Sequence, residues 1–469
     1  MEENKALGKL DIVCGIICAI LFADVIISNT SIGPSVIVWW LIIGVVFFIP
    51  NGLVTAELSG AYPEKGGIYG WVNKAFGSRW AGRLSWLYWI NCALWMPSGF
   101  IWFSGALCGA FFPDMGYLAQ VAVSIVITWV TVFVASMPMT ESKWIVNLGG
   151  IAKVLIFLAV GACGIAMVLQ GAAPANELSV HTMMPTFDQG LQYLPVIVYC
   201  CCGLEVLAMS AHEMKNPRKD LPMAVIGVVI LAIAMNIFAS WGVLQTVPLE
   251  SLDLVTGIGT VASVAFGSEL IRNMVLVLLL FGVFVQMITW SIAGGRGAAE
   301  AGQAGELPAV FGKETKRGGM PVGALVISGI VSTVTIVVYG FMAESASDLF
   351  FTLLAFSSII FFMPYVIMFA AYIRLKKTDA QTERPFKAPF GVALSVVCTA
   401  VLVAAMVLFV WVPGQPFDAA YSVPILVGLG LTLGVGEFIQ RVLARKRVEG
   451  EAQDSERNDE QALLVENQG

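Results

Sequence analysis

The residues able to do chemistry in this chain are a few acids, aromatics and one lysine set inside apolar runs. The stretch CCCGLEVLAMSAHEMKNPRKDLP, Cys200 to Pro222, holds Gly203 and Glu205 near the middle of one such run. A carboxylate at mid-membrane costs about 2.5–3.5 kcal/mol on insertion scales. A helix that only fills space has no use for it, whereas a gate or a proton-binding group does. A second stretch, ADVIISNTSIGP, gathers Asp24, Ser28, Asn29, Thr30, Ser31, Gly33 and Pro34 into the second half of the first run. Lipid offers backbone groups no partner, so irregular backbone is tolerated only where protein or a water-filled cavity covers it. Close helix packing explains Ser, Thr and Gly in the first run about as well as a site does. The pairing of two interruptions, five runs apart and each with an acid, favours a site between discontinuous helices. Half-helix N-termini suit a carboxylate and unwound carbonyls suit an ammonium. A substrate with both groups, such as an amino acid, fits there. Asp24 and Glu205 are also the two acids placed to bind a proton in the core.

Other chemistries find little support. The nine Cys lie in apolar segments, and the two His show no metal-ligand spacing with them. Residues 200–202 project in different directions from a helix and cannot clamp one ion together. They read as small hydrophobes. No metal, cofactor or nucleic-acid partner is expected. No nucleophile or metal cluster of an enzyme stands out, nor any Gly-Lys-Ser/Thr phosphate cradle for an ATP-driven pump. His212, near the inner end of the sixth run, caps a polar end more readily than it senses pH.

Positioning these residues falls to membrane-spanning helices. The chain of 469 residues is 58% hydrophobic and 12% charged, about half the usual charge of roughly 25%, with mean hydropathy +0.83. Apolar windows of about 20 residues, enough to cross the hydrocarbon core as a helix, recur throughout. Twelve spans are expected near 11–31, 36–60, 84–110, 117–138, 146–170, 190–211, 221–247, 270–298, 321–341, 347–374, 390–411 and 421–443. Lys and Arg cluster before the first span and after each even-numbered one, while the opposite loops carry acids such as Asp114, Glu177, Glu250 and Asp348. The positive-inside rule then puts both termini in the cytoplasm of a multi-pass plasma-membrane protein. MEENKALGKL leads straight into a full span, so no cleavable leader is expected. Residues 1–445 form one all-α membrane domain, and the acid-rich tail 446–469 is expected to be disordered.

Three stretches resemble the amino acid–polyamine–organocation permeases. AELSGAYPEKGGIYGWV, Ala56 to Val72, is similar to that family's acid followed by P-x-x-G-G-x-Y; GLEVLAMSAHEMKNPRKDLP, Gly203 to Pro222, to its G-x-E and K-N-P turn; and WSIAGGRGAAEAGQAGELP, Trp290 to Pro308, to its eighth-span exit. The likeness covers roughly residues 8 to 445 and most resembles the glutamate/GABA antiporter branch, with arginine/agmatine exchangers nearby. It implies a leucine-transporter-like 5+5 inverted repeat, 11–170 and 190–374, with discontinuous helices one and six, and two extra helices within 390–443. It places the family's unwound Gly-Ser-Gly on Ile27, Ser28 and Asn29, where both glycines are replaced. It also implies substrate-site roles for Ser28, Asn29, Tyr199 and Trp290, with Asn91, Trp95 and Met96 of the third span as further candidates; Thr30, Cys202 and Gly203, beside the two interruptions, complete the expected substrate site. Glu205, Asp24 and Lys153 would serve gating or coupling. Lys153, in GGIAKVLIFLAVGACG, sits where sodium-independent relatives carry a lysine in place of sodium, although snorkelling to the interface is the plain alternative. Expected partners are therefore a small amino acid or amine and the lipid bilayer, with a homodimer left open. Glu57 is expected to find a structural partner among the basic residues of the next loop, and Gly66 and Gly67 to permit close backbone packing.

Overall fold

The computed structural model describes residues 7–63, 67–185, 191, 193–340, 346–417 and 419–466. Gly66 lies outside them, and so does the side chain of His212. Among the described residues the chain is helical, apart from an isolated parallel bridge between Leu7 and Met214. In chain order the helices are α1 (Lys9–Ile20), α2 (Ile26–Thr30), α3 (Val36–Ile43), α4 (Ile49–Ala61), α5 (Ile68–Phe76), α6 (Ser78–Phe111), α7 (Tyr117–Ala135), α8 (Met139–Leu169), α9 (Val180–Met183), α10 (Leu194–Cys200), α11 (Pro217–Thr246), α12 (Gly257–Phe266), α13 (Glu269–Gln303), α14 (Val322–Gly340), α15 (Ala346–Thr378), α16 (Gly391–Val410) and α17 (Ala419–Glu466). Ten helical segments among the described residues are long and apolar enough to cross a membrane. Of the expected spans, the sixth is too broken to count, and the ninth gives a shorter apolar helix, Val322–Val338.

Burial sorts these helices into centre and rim. The apolar window of Lys9–Thr30 is 83% buried and that of Glu269–Gln303 is 78% buried, against 28% for Gly391–Val410 and 22% for Ser422–Arg445. The last two helices therefore present most of their apolar surface outward, which suits a lipid-facing rim. α6 packs against α13 and α15, while α8 packs against α1, α11 and α13. Small residues permit the closest approaches. A Cβ on Gly242 of α11 would stand 2.8 Å from the Gly161 Cα of α8, and close backbone contact of this kind is how helices associate without water to expel.

Two helices are interrupted, as their sequences suggest. α10 ends at Cys200; Gly203 follows at φ +109°, and the chain continues in 3-10 turns, Val206–Glu213. That φ lies outside the region open to side-chain-bearing residues, which is why a glycine is needed here. The first interruption is not where the likeness to Gly-Ser-Gly placed it. Ile27, Ser28 and Asn29 lie inside α2. The helix instead opens at Leu21 (ψ 88°) and Phe22 (ψ 89°), followed by a 3-10 turn, Ala23–Val25. Local chemistry favours this: Asp competes for backbone hydrogen bonds outside helices, and the Phe22 ring is held by aromatic neighbours described below. A π-turn, Gly44–Phe48, splits the second span without a sequence signal. α17 stays helical to Glu466, across the segment expected to be disordered. That segment is rich in good helix formers such as Glu, Ala, Arg and Gln, and it continues a helix already nucleated.

Candidate functional site

The first interruption is held open from outside its own helix. The last turn of a helix leaves its carbonyls without intrahelical partners. In α1 the Cys18 carbonyl accepts from Lys153 Nζ at 2.5 Å and the Ala19 carbonyl from Trp290 Nε1 at 3.1 Å. Lys153 also donates to Gln286 Oε1, and Gln286 Nε2 donates to Asp24 Oδ1 at 3.1 Å. The relay has a fixed polarity. A lysine can only donate, so the amide oxygen of Gln286 faces Lys153, its NH2 faces Asp24, and Asp24 Oδ1 is an acceptor. The other oxygen, Asp24 Oδ2, is buried without a hydrogen-bond partner.

The second interruption is closed by Glu205. Its carboxylate is fully buried and accepts from Tyr88 Oη and Tyr365 Oη, each at 2.7 Å. Tyr365 Oη also accepts from Gly203 N–H at 2.6 Å, so one phenol ties α15 to the broken backbone and to the acid two residues further on. An acid accepting two phenol donors is satisfied, which is what a buried carboxylate requires.

Between the two interruptions lies an aromatic chamber. The Trp290 ring stacks on Tyr88 (centroids 6.3 Å apart, 27° between planes) and meets Phe361 edge-on at 5.2 Å. Phe22 lies 4.9 Å from Tyr199 and 6.1 Å from both Trp95 and Trp290. Such π faces attract a cation and pack an apolar chain equally well. Gly203 touches the same wall, since a Cβ there would stand 3.0 Å from Trp290 Cζ2. On the side carrying Asp11, Asn147 and Val206, a cavity of about 30 Å³ reaches toward α13. That is room for a water or two.

The residues named from sequence divide accordingly. Asp24, Tyr199, Gly203, Glu205, Trp290, Trp95 and Lys153 come together around the interruptions. Asn29 joins them through α10, its Nδ2 lying 3.4 Å from Cys200 Sγ. Ser28 is buried with its hydroxyl unpartnered. Thr30 turns instead to Ser240 of α11 at 3.2 Å, and Cys202 spends its thiol on the Val198 carbonyl of its own turn. Met96 takes the Ser291 hydroxyl on its sulfur. Asn91 is buried with its amide oxygen unpartnered. Sequence reasoning missed Gln286, Tyr88, Tyr365, Phe22 and Phe361. The one legible hint was Gln286, an amide inside FGVFVQMITW, one helical turn before Trp290.

A separate polar cluster sits at the far end of α4. Glu57 accepts from Lys376 (2.7 Å), Tyr372 (2.7 Å) and the Ala388 backbone (2.8 Å), with Arg384 at 3.1 Å. The partner is basic, as expected, but comes from α15 and the loop after it rather than from the next loop. Tyr62 donates to Asp379 at 3.0 Å, and Lys74 pairs with Asp379 at 3.2 Å. Burial, then the bond to Asp379, pushes the Tyr62 phenol up to about 12. Hydrogen bonds from Thr382 and Lys74 hold the Asp379 carboxyl below its usual value.

The family model described as amino acid permease matches residues 7–434. The chain belongs to the amino acid permease family. The permease is 30% identical over 450 residues to a probable agmatine/putrescine antiporter of Lactococcus lactis subsp. lactis, covering 94% of this chain and 96% of that one. It is 25% identical over 375 residues to a glutamate/gamma-aminobutyrate antiporter of the same organism, covering 75% and 73%. Its fold is similar to that of a manganese transporter from Eremococcus coleocola (TM-score 0.59, 11% identity, 94% and 95% covered). The permease is thus a multi-pass membrane transporter of the amino acid–polyamine–organocation superfamily, not an enzyme.

Proposed function

We propose that this permease is a sodium-independent exchanger of small amines or amino acids that works by alternating access in the plasma membrane. In this reading twelve spans, ten of them in a 5+5 inverted repeat, surround the site, with both termini cytoplasmic. One observation carries the reading: two facing helix interruptions enclose an aromatic chamber whose walls bear Glu205 and Asp24. Lys153 supports the absence of sodium. Its ammonium holds a carbonyl of α1 and an amide of α13, a bridging role otherwise suited to a small cation with oxygen ligands. The relatives that exchange agmatine and putrescine, or glutamate and gamma-aminobutyrate, support both the exchange and the substrate class. Glu205 is the gate, because movement of Tyr88 or Tyr365 breaks its bonds and frees the chain that follows the α10 interruption.

Counterflow in proteoliposomes tests this. Uptake of a labelled amine or amino acid is expected to rise at least 10-fold when the vesicles hold unlabelled substrate, and to be equal in sodium and in choline buffers. Uptake indifferent to internal substrate but driven by a pH gradient favours proton-coupled uptake, to which the two buried acids also lend themselves. Binding without flux favours a substrate sensor.

A further inference from the structure

We infer that Asp24 Oδ2 receives the ammonium of the substrate, and that this makes the site one for primary amines lacking an α-carboxylate. The inference rests on the exchanger reading and sharpens its substrate. Elimination leads there. In an interrupted helix the freed carbonyls are the natural ammonium acceptors, but all four in the last turn of α1 already accept a bond. Ile17 takes Leu21 N–H, Cys18 takes Lys153, Ala19 takes Trp290 and Ile20 takes Phe22 N–H. Across the gap, the Tyr199 carbonyl takes Cys202 N–H, the Cys201 carbonyl takes Asn51 Nδ2, and the Gly203 carbonyl takes Val206 N–H. Of the two acids at the interruptions, Glu205 has both oxygens partnered, whereas Asp24 Oδ2 has no partner, on a residue 99% buried whose other oxygen is pinned by Gln286.

Its location suits the role. Asp24 lies in the first interruption, between Phe22, whose ring is 4.9 Å from Tyr199 of α10, and Asn29, whose Nδ2 is 3.4 Å from Cys200 of α10, so the two interruptions meet around it. A buried carboxylate with one oxygen unpartnered is costly, and an arriving ammonium supplies the missing donor as a charge-assisted bond. The same group works against an amino acid. A substrate carboxylate would seek the free N–H groups where a helix begins, but α2 has only five residues, a weak dipole, and Asp24 two residues before its start. Like charges at that separation repel strongly in a dry site. The chain supplies the carboxylate here, so the substrate does not bring one.

The test uses purified full-length protein in proteoliposomes and compares pairs that differ only by an α-carboxylate: 1,4-diaminobutane against ornithine, and agmatine against arginine. Wild type is expected to prefer the decarboxylated member of at least one pair at least 10-fold in kcat/KM. Asp24→Asn should raise the KM for that amine about 10- to 100-fold, the range for losing a charged hydrogen bond, and narrow the preference within the pair. Asp24→Glu should restore part of it. Equal or better transport of ornithine and arginine by wild type overturns the inference while leaving the exchanger reading intact. So does Asp24→Asn with an unchanged amine KM. Should Asp24→Asn not be recovered from membranes, competition by the four compounds on wild type decides alone, with stronger inhibition by the carboxylated members counting against the inference. A wild type that exchanges none of the four, but does exchange other amino acids, overturns it as well. No exchange of any amine or amino acid defeats the exchanger reading itself.

Discussion

Glu205 shows how a single acid is made tolerable inside a membrane and useful for that reason. Its oxygens accept from Tyr88 and Tyr365, so removing it leaves two buried phenols without an acceptor, at about 1–3 kcal/mol each. Glu205→Ala is therefore expected to reach the membrane, to lower the apparent melting temperature in detergent, and to cut exchange at least 10-fold. Unchanged counterflow would remove Glu205 from the gate. Trp290→Ala should fall in the same way, because it deletes the chamber wall and the donor to the Ala19 carbonyl. The sequence disclosed Glu205 and Trp290 because an acid or a large aromatic deep in an apolar run calls for a reason. It did not disclose Tyr88 or Tyr365, since a tyrosine in a membrane helix is ordinary until its hydroxyl is seen to have a buried partner.

The interrupted helices are the elements on which function turns. Gly203 adopts φ +109° with Trp290 against its α-carbon. Alanine there is strained twice over, by a backbone cost of about 1–3 kcal/mol and by a Cβ contact with the indole. Gly203→Ala should abolish most exchange while Gly227→Ala, which meets nothing within 4 Å, leaves it unchanged; near-normal flux in the first variant would mean that α10 can close without the kink. The sixth-span interruption was legible, because Gly203 and Glu205 mark it. The first was legible only as to its helix. Its site at Leu21–Val25, rather than at Ile27–Asn29, follows from Lys153 and Trp290 capturing the Cys18 and Ala19 carbonyls, and no local pattern announces donors more than 130 residues away.

Across the whole molecule, the Glu57 cluster fastens α4 to α15 at the end away from the chamber. Arg384 is nearly buried there, its side chain 7% exposed. Glu57→Ala leaves it uncompensated and is expected to cost about 3–5 kcal/mol, read as a loss of thermal stability in detergent with substrate KM unchanged; an altered KM would instead couple this end to the site. The neighbouring Tyr62–Asp379–Lys74 group gives a pH signature. Asp379 has its folded value depressed, so its contribution is present above its ordinary value near 3.8 and is lost as pH falls through the depressed folded value. Tyr62 is raised, so its contribution is full below its ordinary value near 10 and is lost as pH rises through about 12. Limited proteolysis of the 379–390 loop should therefore be flat from about pH 5 to 9, and Asp379→Asn should expose the loop within that window.

Hydropathy determined by itself that this is a helical membrane protein, because continuous apolar runs of about 20 residues cross lipid as helices, which satisfy their own backbone. Short motifs determined its family, and two misplaced acids marked the helices that break. Only the tertiary structure decided where the first helix opens, which oxygen of Asp24 is left over, and which tyrosines hold Glu205. Those outcomes depend on hydrogen bonds between residues far apart in sequence, and a donor's reach is set by packing rather than by its neighbours along the chain.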